Sequence, residues 1–120
     1  MNLLEKEQEL QSMVSQGQML EAFDKFYHEN VVMIEGDGIE YKGKATNRKR
    51  NEEWLDMIAE MHGGGIGAMS ANEETGYTMT ESWVDVSFKN GNRMKVEEVS
   101  VKKWDGDLIV HERFYYNAPG

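Results

Sequence analysis

The side chains best suited to chemistry in this 120-residue chain sit near its C-terminal end, where His111, Arg113 and Tyr115 alternate along one run. In a strand, alternate residues share a face, so these three point one way and Glu112, Phe114 and Tyr116 the other. His111 can shuttle a proton near neutral pH. Arg113 can hold a carboxylate or enolate oxygen with two donors, and Tyr115 adds a hydroxyl. The run before it places Met94, Val96, Glu98, Ser100, Lys102 and Trp104 on one parity. Glu35, at the end of the short run 31–35, and Glu98 are candidate bases if they are desolvated. The expected catalytic set is therefore Glu35, His111, Arg113 and Tyr115, with Trp54, Glu98, Ser100, Lys102 and Trp104 contacting a ligand. Arg113 is the sharpest expectation, because a buried guanidinium costs several kcal/mol unless an anion meets it. The competing reading is that Glu98, Lys102 and Arg113 pair with one another across strands.

Positioning such a row takes a sheet. Asn90-Gly91 and Asp105-Gly106 are turn dipeptides set between runs rich in β-branched and aromatic residues, so an antiparallel meander is expected over 76–89, 92–104 and 107–116. Another strand is expected over 65–72. Upstream the period changes. Residues 2–16 and 18–28 read as helices, with Leu3, Leu10, Met13 and Val14 on one stripe of the first and Gly17 between them. A third helix is expected at about 44–61, with Trp54, Leu55, Ile58 and Met61 on its apolar face and Gly63-Gly64-Gly65 ending it. His28 and His62 then fall at helix C-termini, where a cation is favoured. Arg48-Lys49-Arg50 reads as a solvated face. Helices first and strands after predict α+β: about three N-terminal helices packed in the concavity of a strongly curved antiparallel sheet, in one domain spanning 1–120.

Bulk composition narrows the function classes. A net charge of −9 argues against nucleic acid and anionic membranes as partners. With no cysteine, disulfides, thiolate metal sites and cysteine nucleophiles are excluded. The three histidines have no metal-binding spacing, so neither a metal nor another cofactor is expected. The acidic N-terminus lacks the apolar core of a secretory signal, which with the missing cysteines leads to a cytoplasmic expectation. Nine methionines suit an adaptable apolar interior, core packing being the favoured use.

Two landmarks carry a resemblance. One is Gly17-Gln18 followed by Phe23, Phe26-Tyr27-His28-Glu29-Asn30 and Val31-Val32. The other is Gly43-Lys44-Ala45, then Trp104-Asp105-Gly106-Asp107-Leu108-Ile109 and Glu112-Arg113-Phe114-Tyr115-Tyr116. Together they resemble the nuclear transport factor 2-like superfamily, in its SnoaL-like branch related to ketosteroid isomerases and polyketide cyclases. The resemblance implies a cone-shaped fold with a central pocket for a small hydrophobic or amphipathic molecule. It implies isomerase- or cyclase-type proton transfer, the alternative being a non-catalytic ligand-binding dimer. It puts the base of the isomerases at Glu35 and their oxyanion hole near Leu10 and Ser100, which cannot supply that pair of donors, so steroid isomerisation is disfavoured. The late acid/base position of the cyclases falls near Glu112 or Asn117. Val99 and Val101 beside Phe114 and Tyr116 predict an apolar convex face and a homodimer through it.

Overall fold

The computed structural model describes residues 1–116, so Asn117 and the single proline, Pro119, lie outside the described residues. The first helix, α1 (Leu3–Ser15), opens with a reciprocal cap. Asn2 Oδ1 accepts from the Glu5 N–H at 2.8 Å and Glu5 Oε1 from the Asn2 N–H at 3.3 Å, relieving donors a helix end leaves orphaned. At its other end Gly17 takes φ +80°, which lets the Gln18 N–H reach back to the Met13 carbonyl at 2.9 Å. The chain turns there into α2 (Met19–Phe26), which buries Ala22, Phe23 and Phe26.

The strands are β1 (Tyr27–Ile34), β2 (Glu40–Lys42), β3 (Ile58–Asn72), β4 (Tyr77–Phe88), β5 (Arg93–Asp105) and β6 (Leu108–Tyr115), with α3 (Lys44–Met57) between β2 and β3. They form one sheet in the order β2-β1-β6-β5-β4-β3. All pairings are antiparallel except β1 with β6, which is parallel, so the α+β class stands and the sheet is mixed. Helices cover one face, here the inner one. Leu3, Leu10, Phe23, Phe26, Tyr27, Val31, Met33, Trp104 and Ile109 form a continuous core there.

Two expectations about the third helix are corrected. It ends at Met57, not near 61, and the chain enters β3 at the β-branched Ile58. The Lys89 N–H donates to the Met57 carbonyl at 2.9 Å, satisfying one of the acceptors left by the helix end. Gly63-Gly64-Gly65 is not a helix stop. None of the three has a positive φ, and all lie within β3, where Trp83 of β4 covers the bare backbone of Gly63 and Gly65. His28 and His62 accordingly lie in β1 and β3 rather than at helix ends. His28 Nδ1 accepts from the Asn30 N–H at 3.0 Å, and His62 Nε2 lies 2.7 Å from Ser87 Oγ.

Candidate functional site: a buried ion cluster opening into an acidic trough

The inner parity of β5 is the one expected: Ser100, Lys102 and Trp104 are buried, while Glu98, Val96 and Met94 are half-buried. The parity of β6 is reversed. Lys102 pairs with Glu112 and Ser100 with Phe114, and directly paired residues share a face, so Glu112 and Phe114 look inward. His111, Arg113 and Tyr115 look outward, sharing their face with Lys103, Val101 and Val99.

The cause is one residue. The hairpin pairs Asp105 with Leu108 and Trp104 with Ile109, but Lys103 then pairs with His111, leaving Val110 as a bulge. Counted without it, the ladder would set His111 opposite Lys102 and Arg113 opposite Ser100, the placement the sequence suggested. A one-residue slip moves every later side chain to the other face. Arg113 is exposed and stacks on the Tyr115 ring at 5.0 Å, so it is not the buried cation expected of it. Residues 112, 114 and 116, expected to be unable to reach the interior, are the ones that do. The convex apolar patch changes with them. Phe114 packs against the core, Tyr116 reaches Glu35, and the outer face carries Met79, Trp83, Val99 and Tyr115 instead.

At the deep end of the inner face lies a closed ion cluster. Lys102 Nζ, on a side chain 2% exposed, lies 3.2 Å from Glu7 Oε2 and 3.5 Å from Glu112 Oε2. It also donates to Ser100 Oγ at 2.7 Å, and Ser100 Oγ donates to Glu112 Oε2 at 2.5 Å. Tyr27 donates its hydroxyl to Glu112 Oε1. Thr78 and Gln11 donate to Glu7 at 2.7 and 2.8 Å, and the Trp104 indole N–H donates to Thr78 Oγ1 at 2.8 Å. Burial disfavours the charged Lys102, but Glu112 and Glu7 outweigh it and raise its pKa. Burial likewise pushes Glu7 up, yet the Lys102 charge and three hydrogen bonds leave it below its ordinary value. Desolvation, then the Glu112 carboxylate, push Tyr27 well up, so it stays a donor. Lys102 is therefore a locked ammonium, unavailable as a nucleophile.

Towards the open end the same face is only half-buried, at Ser82, Val84, Met94, Val96 and Glu98, and we call this stretch the trough. Glu98 and Ser82 are cross-strand partners on it, with Val84 and Val96 next along the ladder. Desolvation, then the Glu112 and Glu35 carboxylates, push the Glu98 carboxyl up to about 7, only partly offset by Lys102. At the mouth, Arg50 Nη2 donates to Glu35 Oε1 at 2.6 Å and Tyr116 to Glu35 Oε2 at 2.8 Å. Burial and the hydrogen bond to Glu35 push Tyr116 up to about 12. Arg50 is no solvated residue: it stacks on the Tyr41 ring at 3.5 Å and donates to the Oδ1 of buried Asn47 at 3.0 Å. Asn47, Arg50 and Trp54 share one side of α3 by helical spacing, and Trp54 meets Phe88 edge-to-face at 5.4 Å.

Of the residues singled out from sequence, Glu35, Glu98, Ser100, Lys102 and Trp104 thus lie on the inner side, with Trp54 on α3 above it. Glu7, Tyr27, Arg50 and Tyr116 were missed, and Glu112 was named only through the resemblance to the cyclases and expected on the opposite face. The signal for Glu7 was readable, since it lies between Leu3 and Leu10 on the apolar stripe of α1. A carboxylate there has to meet a buried cation.

The SnoaL-like domain model matches residues 4–116. The chain belongs to this family. Its fold is that of the nuclear transport factor 2-like superfamily, and solved structures agree. A proposed SnoaL-like polyketide cyclase from Mesorhizobium loti is 25% identical, with 97% of this chain and 100% of that one covered at a TM-score of 0.85. A proposed isomerase from Bacillus subtilis is 19% identical, covering 98% and 90% at a TM-score of 0.79. An NTF2-like protein of unknown function from Burkholderia pseudomallei is 13% identical, covering 94% and 88% at a TM-score of 0.77. A search of curated proteins found no match. Among the described residues of this SnoaL-like domain, no helix is long and apolar enough to cross a membrane, and no cluster of His, Cys, Asp and Glu could hold a metal ion.

Proposed function

We propose that this SnoaL-like domain binds a small amphipathic molecule in the inner trough and exchanges a proton with it through Glu98, as an isomerase or cyclase would. The observation that carries the reading is the contrast along one strand face. Lys102 is neutralised and sealed by protein groups, while Glu98, four residues away, has a half-buried carboxyl with no cation of its own. A general acid or base works best when its pKa lies near the working pH, and Glu98 is pushed to about 7. Glu35 falls where the resemblance to ketosteroid isomerases puts the base, but it is held by Arg50 and Tyr116, and in this reading it orients the mouth rather than abstracting a proton. That engagement also favours the second reading, a non-catalytic binder, if Glu98 serves only as an anchor.

The two readings separate in heavy water. With cyclohexanone as probe, the wild-type protein should accelerate deuterium exchange at the α-carbon at least tenfold over Glu98→Gln, with a rate rising through about pH 7. Saturable binding of the ketone without exchange selects the binder, and neither binding nor exchange removes the trough as the site.

We also propose that the domain is a homodimer through the outer sheet face, where Met79, Trp83, Val99 and Tyr115 are between 37% and 51% exposed. Apolar and aromatic groups gathered on a sheet face are commonly covered by a partner. A groove of about 510 Å³ lined by Trp83, Lys95, Val99 and Tyr115 of this face also reaches Ser82 and Glu98, so it joins the outer face to the edge of the trough. Light scattering at micromolar concentration should give twice the chain mass, and Tyr115→Asp should give the monomer; a monomeric wild type ends this assignment.

A further inference from the structure

The inner side of the sheet carries more acid than base. Among the described residues, Glu7 from α1, Glu35 just after β1, Glu98 from β5 and Glu112 from β6 face only Lys102 from β5 and Arg50 from α3. Glu7 and Glu112 share Lys102, and Glu35 takes Arg50. Glu98 is left over. The neutral donors do not fill the gap, since Tyr27 and Ser100 bind Glu112 and Tyr116 binds Glu35. Buried carboxylates are normally paired with a cation or hold a proton.

A second observation points to the same place. Thr80, 1% exposed, lies on the inner face of β4, one ladder step from Glu98: Thr80 pairs with Ser100 and Ser82 with Glu98. Its Oγ1 is buried with no hydrogen-bond partner. Its neighbour on the same face, Thr78, is bonded to both Glu7 and Trp104. An orphaned hydroxyl beside an unpaired carboxyl is a hydrogen-bonding deficit that the protein's own side chains leave open. Beyond it the trough is apolar, with Val84, Val96 and Met94 on the sheet and the Trp54–Phe88 pair nearby.

We infer that the occupant of the trough carries a protonated nitrogen: an amphipathic ammonium whose charge meets Glu98 and whose apolar body lies over Val84, Val96 and Met94. This rests on the trough being the binding site and names the class of ligand for it. An ammonium supplies both missing elements, a positive charge for Glu98 and N–H donors that the Glu98 carboxylate and Thr80 Oγ1 can accept. A carboxylate ligand would instead add to the local acid excess, since Arg50 is already engaged by Glu35 and Asn47.

Three probes of one shape test it: cyclohexylammonium, cyclohexanol and cyclohexanecarboxylate, titrated by calorimetry and followed by the fluorescence of Trp54. The ammonium should bind at least tenfold tighter than the alcohol at pH 8, and the carboxylate weakest. Its preference should fall as pH drops from 8 to 6, because the proton then competes for Glu98. Glu98→Gln should erase the preference of the ammonium over the alcohol. The ammonium should also inhibit ketone deuterium exchange at least tenfold more strongly than the alcohol. Equal binding of all three probes overturns the ammonium assignment and leaves the trough standing. Tighter binding of the carboxylate overturns it too and moves the anchor to Arg50. A preference unchanged in Glu98→Gln overturns the role of Glu98. No binding of any probe at millimolar concentration overturns both the assignment and the trough.

Discussion

The deep and open ends of the inner face of β5 are built from the same strand and the same kinds of residue, yet they solve the burial of charge in opposite ways. At the deep end one ammonium sits between two carboxylates, and each of their four oxygens also accepts from Tyr27, Ser100, Thr78 or Gln11. At the open end Glu98 is half-buried with no ion-pair partner among the described residues, and its carboxyl is pushed up to about 7. A fully satisfied cluster is structure and has nothing left to offer a ligand. An unsatisfied group on the same face is where binding energy and proton chemistry remain available.

The strongest way to break that contrast is Lys102→Met. Removing one partner of a buried pair leaves the others as uncompensated charges, and the expected cost is about 3–5 kcal/mol. Urea unfolding at pH 7 should show this as a lower midpoint with an unchanged slope. A loss under about 1 kcal/mol would mean that Glu7 and Glu112 are not held as ions. Lowering the pH should partly rescue the variant, since protonating Glu7 removes a charge that Lys102 had balanced.

Glu98→Gln should do the reverse. The folded-state carboxyl titrates near 7, above its ordinary 4.5, so between those values the folded protein keeps a proton that the unfolded chain releases. Stability from this group is fully present below about pH 4.5 and is lost as the pH rises through about 7. The window is worth on the order of 3 kcal/mol at about 1.4 kcal/mol per pH unit. Wild type should therefore lose stability from pH 5 to pH 8, while Glu98→Gln stays flatter and is the more stable protein at pH 8. Glu7 titrates on the other side: its pKa is lowered, so its contribution is lost only below the ordinary carboxylate range and does not blur the window. A wild-type profile as flat as that of the variant would remove Glu98 from the interior.

Most of the fold and about half of the candidate site were legible in the sequence, and the reason each part was or was not is local. Helices α1 and α2, all or part of five strands and both tight turns follow from apolar period and from turn glycines at φ +93° and +62°. Strand β2 is three residues long and leaves no period to read. The triple glycine misled because glycine usually ends helices, whereas here it makes room for Trp83, whose indole nitrogen would lie 2.6 Å from a Cβ at Gly65. The inner parity of β5 was readable from alternation alone. That of β6 was not, because a bulge at Val110 carries no strong signature in an otherwise β-prone run and reverses everything after it.

The smallest effect predicted is the most direct check on that reversal. If Val110 is the extra residue, Arg113 belongs to the outer face, where it is exposed and touches only the neighbouring Tyr115 ring. An exposed cation–aromatic contact is worth about 0.5–1 kcal/mol at most, and surface substitutions usually stay within about 0.5. Arg113→Met should then leave the urea midpoint almost unmoved, the pH profile unchanged, and the affinity for cyclohexylammonium within about twofold. Deleting Val110 supplies the counter-test. Without the bulge, the ladder would draw Arg113 inward against Ser100 and push Glu112 out, exposing one partner of Lys102 and burying a guanidinium in its place. That deletion should cost more than Lys102→Met. If instead Arg113→Met abolished binding while the Val110 deletion was tolerated, the register of β6 described here, and the trough built on it, would be wrong.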